Sequence, residues 1–516
     1  MIIRPFLPHH PGATVHLRPT AAPGPVDGFA PGLEPAAPVV QPRFAPVQAE
    51  GWRLSDLASV GEVHKQAMAI VDGSSPFKGH VINGFSGSGL TSLMKAMAGE
   101  LEARGTPTLF ASGADLAESG VRELFAEARA RNAVVFIDGL DGVAPIRTAE
   151  KSQPSMLELV DELEPGDVRV VASTSRKDVV DLEAIRHLPG LLEVPLPRNE
   201  IERRGIIDVL MRRKALSADP ADLADMAQAT RGKGPADLSA ILDLARQSAG
   251  GPILRDVDLM EARLTHAAGP PEPLAVDERF FKLSVAHEMG HVVVRHFFQR
   301  LARESKSTDE LPQAIDLVSF HPRKGAQAFV NLMFGGNAAK TFEYYFAEMA
   351  SDYGGRAAEY FFGKGHLSAG PAGDLSHAQQ LSSPAAQLLA QEAVQKGMGV
   401  DSGAQTTLNP TADAVKLEKA AEEAAYTLVA FYGSFIKEFS NEMFARRQNG
   451  QELTFSGREL TRRLTRWEAD RAVPLAVLAQ QIQGQRDRLR PQAPPVFDPV
   501  SGLLRPAAEV AKELSF

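Results

Sequence analysis

The chain has 516 residues, 44% of them hydrophobic and 23% charged, with a formal net charge of -9. At roughly 100–200 residues per domain this length holds two or three domains, and the acidic balance gives no reason to expect a nucleic-acid partner. The absence of cysteine excludes disulfides, thiolate zinc sites, iron–sulfur clusters and cysteine nucleophiles, so any transition metal must sit on His, Asp or Glu.

Residues 1–50 hold eleven of the 36 prolines without a sustained helical or strand period, and read as a disordered Pro-rich arm. From Trp52 the pattern changes. Apolar runs at Val81-Ile82, Pro107–Phe110, Ala133–Ile137 and Val168–Ala172 alternate with amphipathic stretches near 91–104 and 119–131, which predicts a parallel α/β sheet over 51–197. Between 198 and 268 helical periods take over and predict a small helical lid, closed by the turn cluster Gly269–Pro273. From 275 to 480 long helices dominate, at 277–302, 340–362 and 411–447, with a strand-like stretch at 315–333. Residues 481–516, rich in Pro and Arg, read as a loose tail. No run approaches the ~18–20 apolar residues of a membrane span, and the start lacks a leader pattern, so a cytoplasmic protein is expected.

The sharpest chemical signal is His287-Glu288-Met289-Gly290-His291, inside an apolar-periodic helix. A spacing of four puts both imidazoles on one face, where they can hold Zn²⁺ while Glu288 takes the proton of an attacking water. His296 lies nine residues beyond His287, about 180° around the helix, and is expected to face away. A catalytic zinc needs a third protein ligand, and the downstream candidates are Asp352, Glu359, Asp374 and His377. Spacing does not choose among them.

The segments His287–His291, Gly354–Gly363 and Gly373-Asp374-Leu375-Ser376-His377-Ala378 resemble, in order and spacing, the peptidase domain of the FtsH-type AAA zinc protease family. The resemblance implies that Asp374 is the third zinc ligand. It extends over roughly residues 52–460. Gly84-Phe85-Ser86-Gly87-Ser88-Gly89-Leu90-Thr91 follows a β-like run and opens a helix, and looks like a Walker A loop. Gly84, Gly87, Gly89 and Thr91 are in place for a phosphate and Mg²⁺, but Leu90 stands where the lysine belongs. The run ending Asp138-Gly139 looks like a Walker B strand that keeps Asp138 and has Gly139 in place of the catalytic Glu. Ser175 replaces the sensor Asn, at best Arg186 survives of the paired arginine fingers, and Ala117–Val121 replaces the longer aromatic pore loop.

The sequence therefore predicts an AAA+ P-loop-like α/β domain with a helical lid, followed by a mainly α-helical zincin-type peptidase domain. The implied function is a zinc-dependent endopeptidase for loosely folded polypeptides whose AAA+ module does not hydrolyse ATP; ATP and Mg²⁺ are expected to bind weakly if at all. The resemblance implies a homo-oligomer, hexameric in the family. Two alternatives stand beside this reading: a non-catalytic adaptor of an AAA protease, and an ATP-dependent enzyme in which Lys95 or Lys78 reaches the phosphates. Ile315–Phe320 and Gln327–Val330 are candidate strands for pairing with an extended substrate, or an ordinary hairpin.

Overall fold

The computed structural model describes residues 52–58, 61–118, 120–146, 154–273, 277–304, 313–323, 326, 328–333, 340–365, 372–395, 410–471, 475–486, 495–498 and 503–506. The Pro-rich arm lies outside them. The described chain forms two compact units, one ending at Pro197 and taking in Gly234–Ala236, the other running from Arg198 to Lys233 and on from Asp237.

In the first unit, strands β1 (Gly79–Gly84), β2 (Thr108–Ser112), β3 (Val134–Asp138), β4 (Val170–Thr174) and β5 (Gly190–Val194) form one parallel sheet in the order β2-β3-β4-β1-β5. Helices α1 (Gly61–Val71), α2 (Leu90–Ala103), α3 (Gly113–Glu118), α4 (Val121–Arg131), α5 (Leu140–Val143), α6 (Pro154–Leu163) and α7 (Leu182–His187) intervene. Alternate strand residues feed two separate cores: Val81, Val135, Ile137 and Ala172 enter one, Ile82, Phe136, Val171 and Leu192 the other. Burial on both faces is why these strands read as continuous apolar runs. The fifth strand has alternating rather than continuous burial, so it lacks the unbroken apolar run that marks the inner strands.

The second unit starts with α8 (Glu200–Arg213), α9 (Pro220–Ala229), α10 (Pro235–Ala249, from its third residue on) and α11 (Asp256–Ala268), which share a core of Ile207, Met226, Leu238, Leu242 and Leu259. Its larger core is built by α12 (Glu278–Glu304), α13 (Phe342–Phe362), α14 (Ala372–Gln395), α15 (Pro410–Phe431), α16 (Gly433–Gln448), α17 (Gly457–Arg471) and α18 (Leu475–Arg486). A small antiparallel sheet has the order β7-β6-β8, from β6 (Ile315–Ser319), β7 (Phe329–Leu332) and β8 (Thr454–Ser456). The helix predicted over 411–447 is divided at Tyr432, and β8 was not predicted at all. The loose tail needs correction too. Gln481–Arg486 close α18, whose Leu478 and Ile482 are buried, and Pro495–Asp498 pairs with Leu503–Pro506 as an antiparallel ribbon. No described helix is long and apolar enough to cross a membrane.

Candidate metal centre

Helices α12 and α13 meet at two glycines. A Cβ on Gly290 would fall 2.2 Å from the Gly354 carbonyl oxygen, and one on Gly354 would fall 2.4 Å from that of Gly290, so backbone touches backbone only because both lack side chains. That approach brings polar groups of the two helices face to face. His287 Nδ1 donates to Glu359 Oε1 at 3.0 Å, His291 Nδ1 to the Ser351 carbonyl at 2.7 Å, and one turn further Arg295 grips both oxygens of Glu348 at 2.7 and 2.8 Å. Because each outer partner is an acceptor, Nδ1 of both rings carries the proton and the Nε2 lone pairs turn inward.

Asp374, in the first turn of α14, approaches those two Nε2 atoms at 3.4 Å each, and they lie 3.2 Å from one another. A tetrahedral zinc with bonds of ~2.0–2.1 Å spaces its ligand atoms ~3.3–3.4 Å apart, the edge length of this triangle. Three lone-pair donors this close repel unless a cation lies among them. Protonation responds to the same need. Burial pushes the His287 imidazole down, but its bonds to Asp374 and Glu359 outweigh that and hold it up at about 9. Burial likewise raises Asp374, yet His291 and His287 keep it well below the usual carboxylate range. A Cβ on Gly355 would meet His291 Nε2 at 2.5 Å and His287 Nε2 at 2.7 Å, so α13 offers bare backbone where the donors converge. The donor set, its spacing and this cradle fit a zinc-type cation. Glu288 is buried on α12 between the two histidines.

Of the four downstream candidates, Asp374 therefore joins the imidazoles. Glu359 holds the outer nitrogen of His287, while Asp352 Oδ2 and His377 Nδ1 bind each other at 2.7 Å. His296 is buried away from the centre and donates from Nε2 to Glu468 at 3.1 Å; burial and the nearby Arg300 and Arg303 push it down to about 4. Sequence reasoning missed the outer roles of Glu359 and Ser351. The one-turn steps 351, 355 and 359 on α13 carry some signal of a shared face, whereas a backbone acceptor carries none. A second close group among the described residues, Glu261, His321 and Glu452, is spent on the protein. Arg323 and Thr454 occupy the Glu261 oxygens, and Glu452 Oε1 accepts the Leu453 and Thr454 N–H groups at 3.0 Å.

In the first unit, Gly84 ends β1, and Gly87 and Gly89 adopt φ of +81° and +93° before α2 begins, the strand–turn–helix course of a phosphate-binding loop. Thr91 Oγ1 donates to Asp138 Oδ2 at 2.7 Å and Ser173 Oγ to Oδ1 at 2.6 Å, so a hydroxyl and a carboxylate suited to Mg²⁺ stand together. Leu90 supplies no ammonium. Gly139 has φ +87°, a left-handed backbone that a glutamate at this position would not readily adopt. Ser175 is exposed; the polar groups facing the carboxylates are Ser173 and Thr174, the latter donating to Asp141 at 2.9 Å. Arg186 is exposed 3.4 Å from Glu183. Lys78 precedes β1 whereas the loop follows it, with six strand residues, ~20 Å of chain, between them.

Residues 81–196 match the family described as "ATPase family associated with various cellular activities (AAA)". The chain is 28% identical to "ATP-dependent zinc metalloprotease FtsH" of Caulobacter vibrioides over 63% of its own length and 56% of that protein. It is 30% identical to the FtsH of Lactiplantibacillus plantarum over 74% and 50%. It is 35% identical to a "Cell division cycle protein 48 homolog" of Archaeoglobus fulgidus over 36% and 27%. The chain spans about half the length of the FtsH relatives it matches. An AAA domain followed by a mostly helical region, with these matches running through both, makes the chain a relative of the FtsH-type AAA zinc metalloproteases.

Proposed function

We propose that the chain is a zinc-dependent metalloendopeptidase that cleaves loosely folded polypeptides, with an AAA module that does not hydrolyse ATP. The observation that carries this reading is the triangle of His287 Nε2, His291 Nε2 and an Asp374 oxygen with edges of 3.2–3.4 Å. His287, His291 and Asp374 would hold the metal, and zinc bound there supplies Lewis acidity to the scissile carbonyl and to a water. Glu288 takes the proton of the attacking water and passes it to the departing amine, so that one water is consumed per peptide bond broken. Glu359 and Ser351 keep the rings aimed. In the described three-stranded sheet β7 is an edge, with backbone groups suited to pairing with an extended substrate.

Leu90 and Gly139 remove the phosphate-contacting ammonium and the water-activating carboxylate, which supports a scaffolding or assembly role for the AAA module in a homo-oligomer. Weak nucleotide binding is favoured by one observation, the Thr91–Asp138 pair beside the glycine loop. The test is metal analysis with an unfolded-protein cleavage assay, with and without ATP. One zinc per chain, chelator-sensitive cleavage and no response to ATP are expected. Glu288→Gln should keep zinc and lose ~10²–10⁴-fold in turnover. Full turnover in that variant refutes the mechanism, and a chain that takes up no zinc refutes the reading.

A further inference from the structure

The two imidazoles and the third donor of the centre come from different helices, which raises the question of what keeps Asp374 in register. Both histidines sit on α12, and both are aimed by α13, through Glu359 and the Ser351 carbonyl. Asp374 belongs to α14. One turn after it, on the same face, His377 Nδ1 binds Asp352 Oδ2 at 2.7 Å. Asp352 is the residue after Ser351 on α13, and it stands one turn before Gly355, against which both Nε2 atoms converge. Two consecutive residues of α13 are thus committed to two different donors: Ser351 to the ring of His291, and Asp352 to the helix that carries Asp374.

The chemistry of Asp352 is costly for a residue that only fills space. It is fully buried, its Oδ1 has no hydrogen-bond partner, and burial raises its pKa against the opposing pull of His377. A polar pair with one fully buried member, here Asp352 with the half-buried His377, fits the best-attested use of such groups, selecting one register among several similar packings. The neighbouring α14 contacts, Leu375 against the main core and the buried Ala378, are apolar and tolerate a shift along or around the helix. A metal ligand tolerates only ~0.2 Å.

From this juxtaposition we infer that Asp352 and His377 form a positioning pair that locks α14 to α13 and so sets Asp374 at the metal. The inference rests on the proposed metal centre and extends it by two residues that are not ligands. The experiment uses the full chain, with Zn²⁺ affinity by competition against a chelating dye and the visible absorption of the Co²⁺-loaded protein as readouts. His377→Ala should weaken Zn²⁺ binding by up to ~10–100-fold, the range for losing a group bonded directly to a ligand, because the lost bond acts on Asp374 through the position of α14, and should alter the Co²⁺ spectrum. His377→Gln, whose amide can still donate to Asp352, should recover most of the affinity. Tyr432→Phe, which removes a bond to Glu468 in the same core, should lower Tm and leave the spectrum unchanged. Should His377→Ala not fold, Asp352→Leu, similar in shape to Asp and without an acceptor for His377 Nδ1, reads the same pair and should likewise bind Zn²⁺ more weakly. Affinity within twofold of the wild type with an unchanged spectrum, in whichever variant folds, overturns the pair alone. A wild-type chain that binds neither ion removes the metal centre and the pair with it.

Discussion

Gly355→Ala isolates the metal centre with one methyl group. The added Cβ would lie 2.5 Å from His291 Nε2, 2.6 Å from His287 Cε1 and 2.7 Å from His287 Nε2. Ordinary contact begins near ~3.5 Å, so the rings must retreat by close to ~1 Å, about five times the ~0.2 Å tolerance of a metal–ligand bond. Their outer nitrogens are tied at 3.0 and 2.7 Å to Glu359 and Ser351, so retreat breaks those bonds as well. Zinc affinity should therefore fall by more than the ~100-fold upper cost of losing an outer partner. Stability should change far less. Overpacking costs ~1–3 kcal/mol, and replacing a helical glycine by alanine returns ~1 kcal/mol, leaving a net loss of ~0–2 kcal/mol. Zinc titration beside urea unfolding of the metal-free chain checks both numbers. Wild-type zinc affinity in a folded Gly355→Ala chain would refute the convergence of these donors on one cation.

Asp374→Asn should lower zinc affinity sharply, whereas Glu359→Gln should cost ~10–100-fold and leave one zinc per chain at saturation; calorimetric titration separates them. Metal binding should strengthen with pH. With His287 held at about 9 in the metal-free chain, close to one proton must leave at neutral pH, so apparent affinity should rise ~tenfold per unit between pH 6.5 and 8 and flatten above 9; a pH-independent affinity contradicts this. Gly139→Glu should not restore ATP hydrolysis, because φ +87° sets the backbone against it, and adding Leu90→Lys should not rescue it. Steady phosphate release from the double variant, lost on Asp138→Ala, would show an AAA site intact but for two side chains.

What the sequence determined by itself was local. The four-residue step from His287 to His291 places two rings on one face through helical periodicity alone, and the runs at 133–137 and 168–172 announce a sheet buried on both sides. The glycines of the Gly84–Gly89 loop were legible for the same reason, since turn, residue type and position lie within a few neighbours. Only the tertiary structure chose among Asp352, Glu359, Asp374 and His377. All four are polar residues at helical spacing, and their division into one donor to the triangle, one outer partner and one linked pair depends on how α12, α13 and α14 pack. The carbonyl of Ser351 has no side-chain signature, and β8 is three residues that become a strand because β6, more than a hundred residues earlier, offers an edge. The left-handed backbone at Gly139 was equally silent: a glycine in a sequence permits positive φ, and the chain around it decides whether that freedom is used.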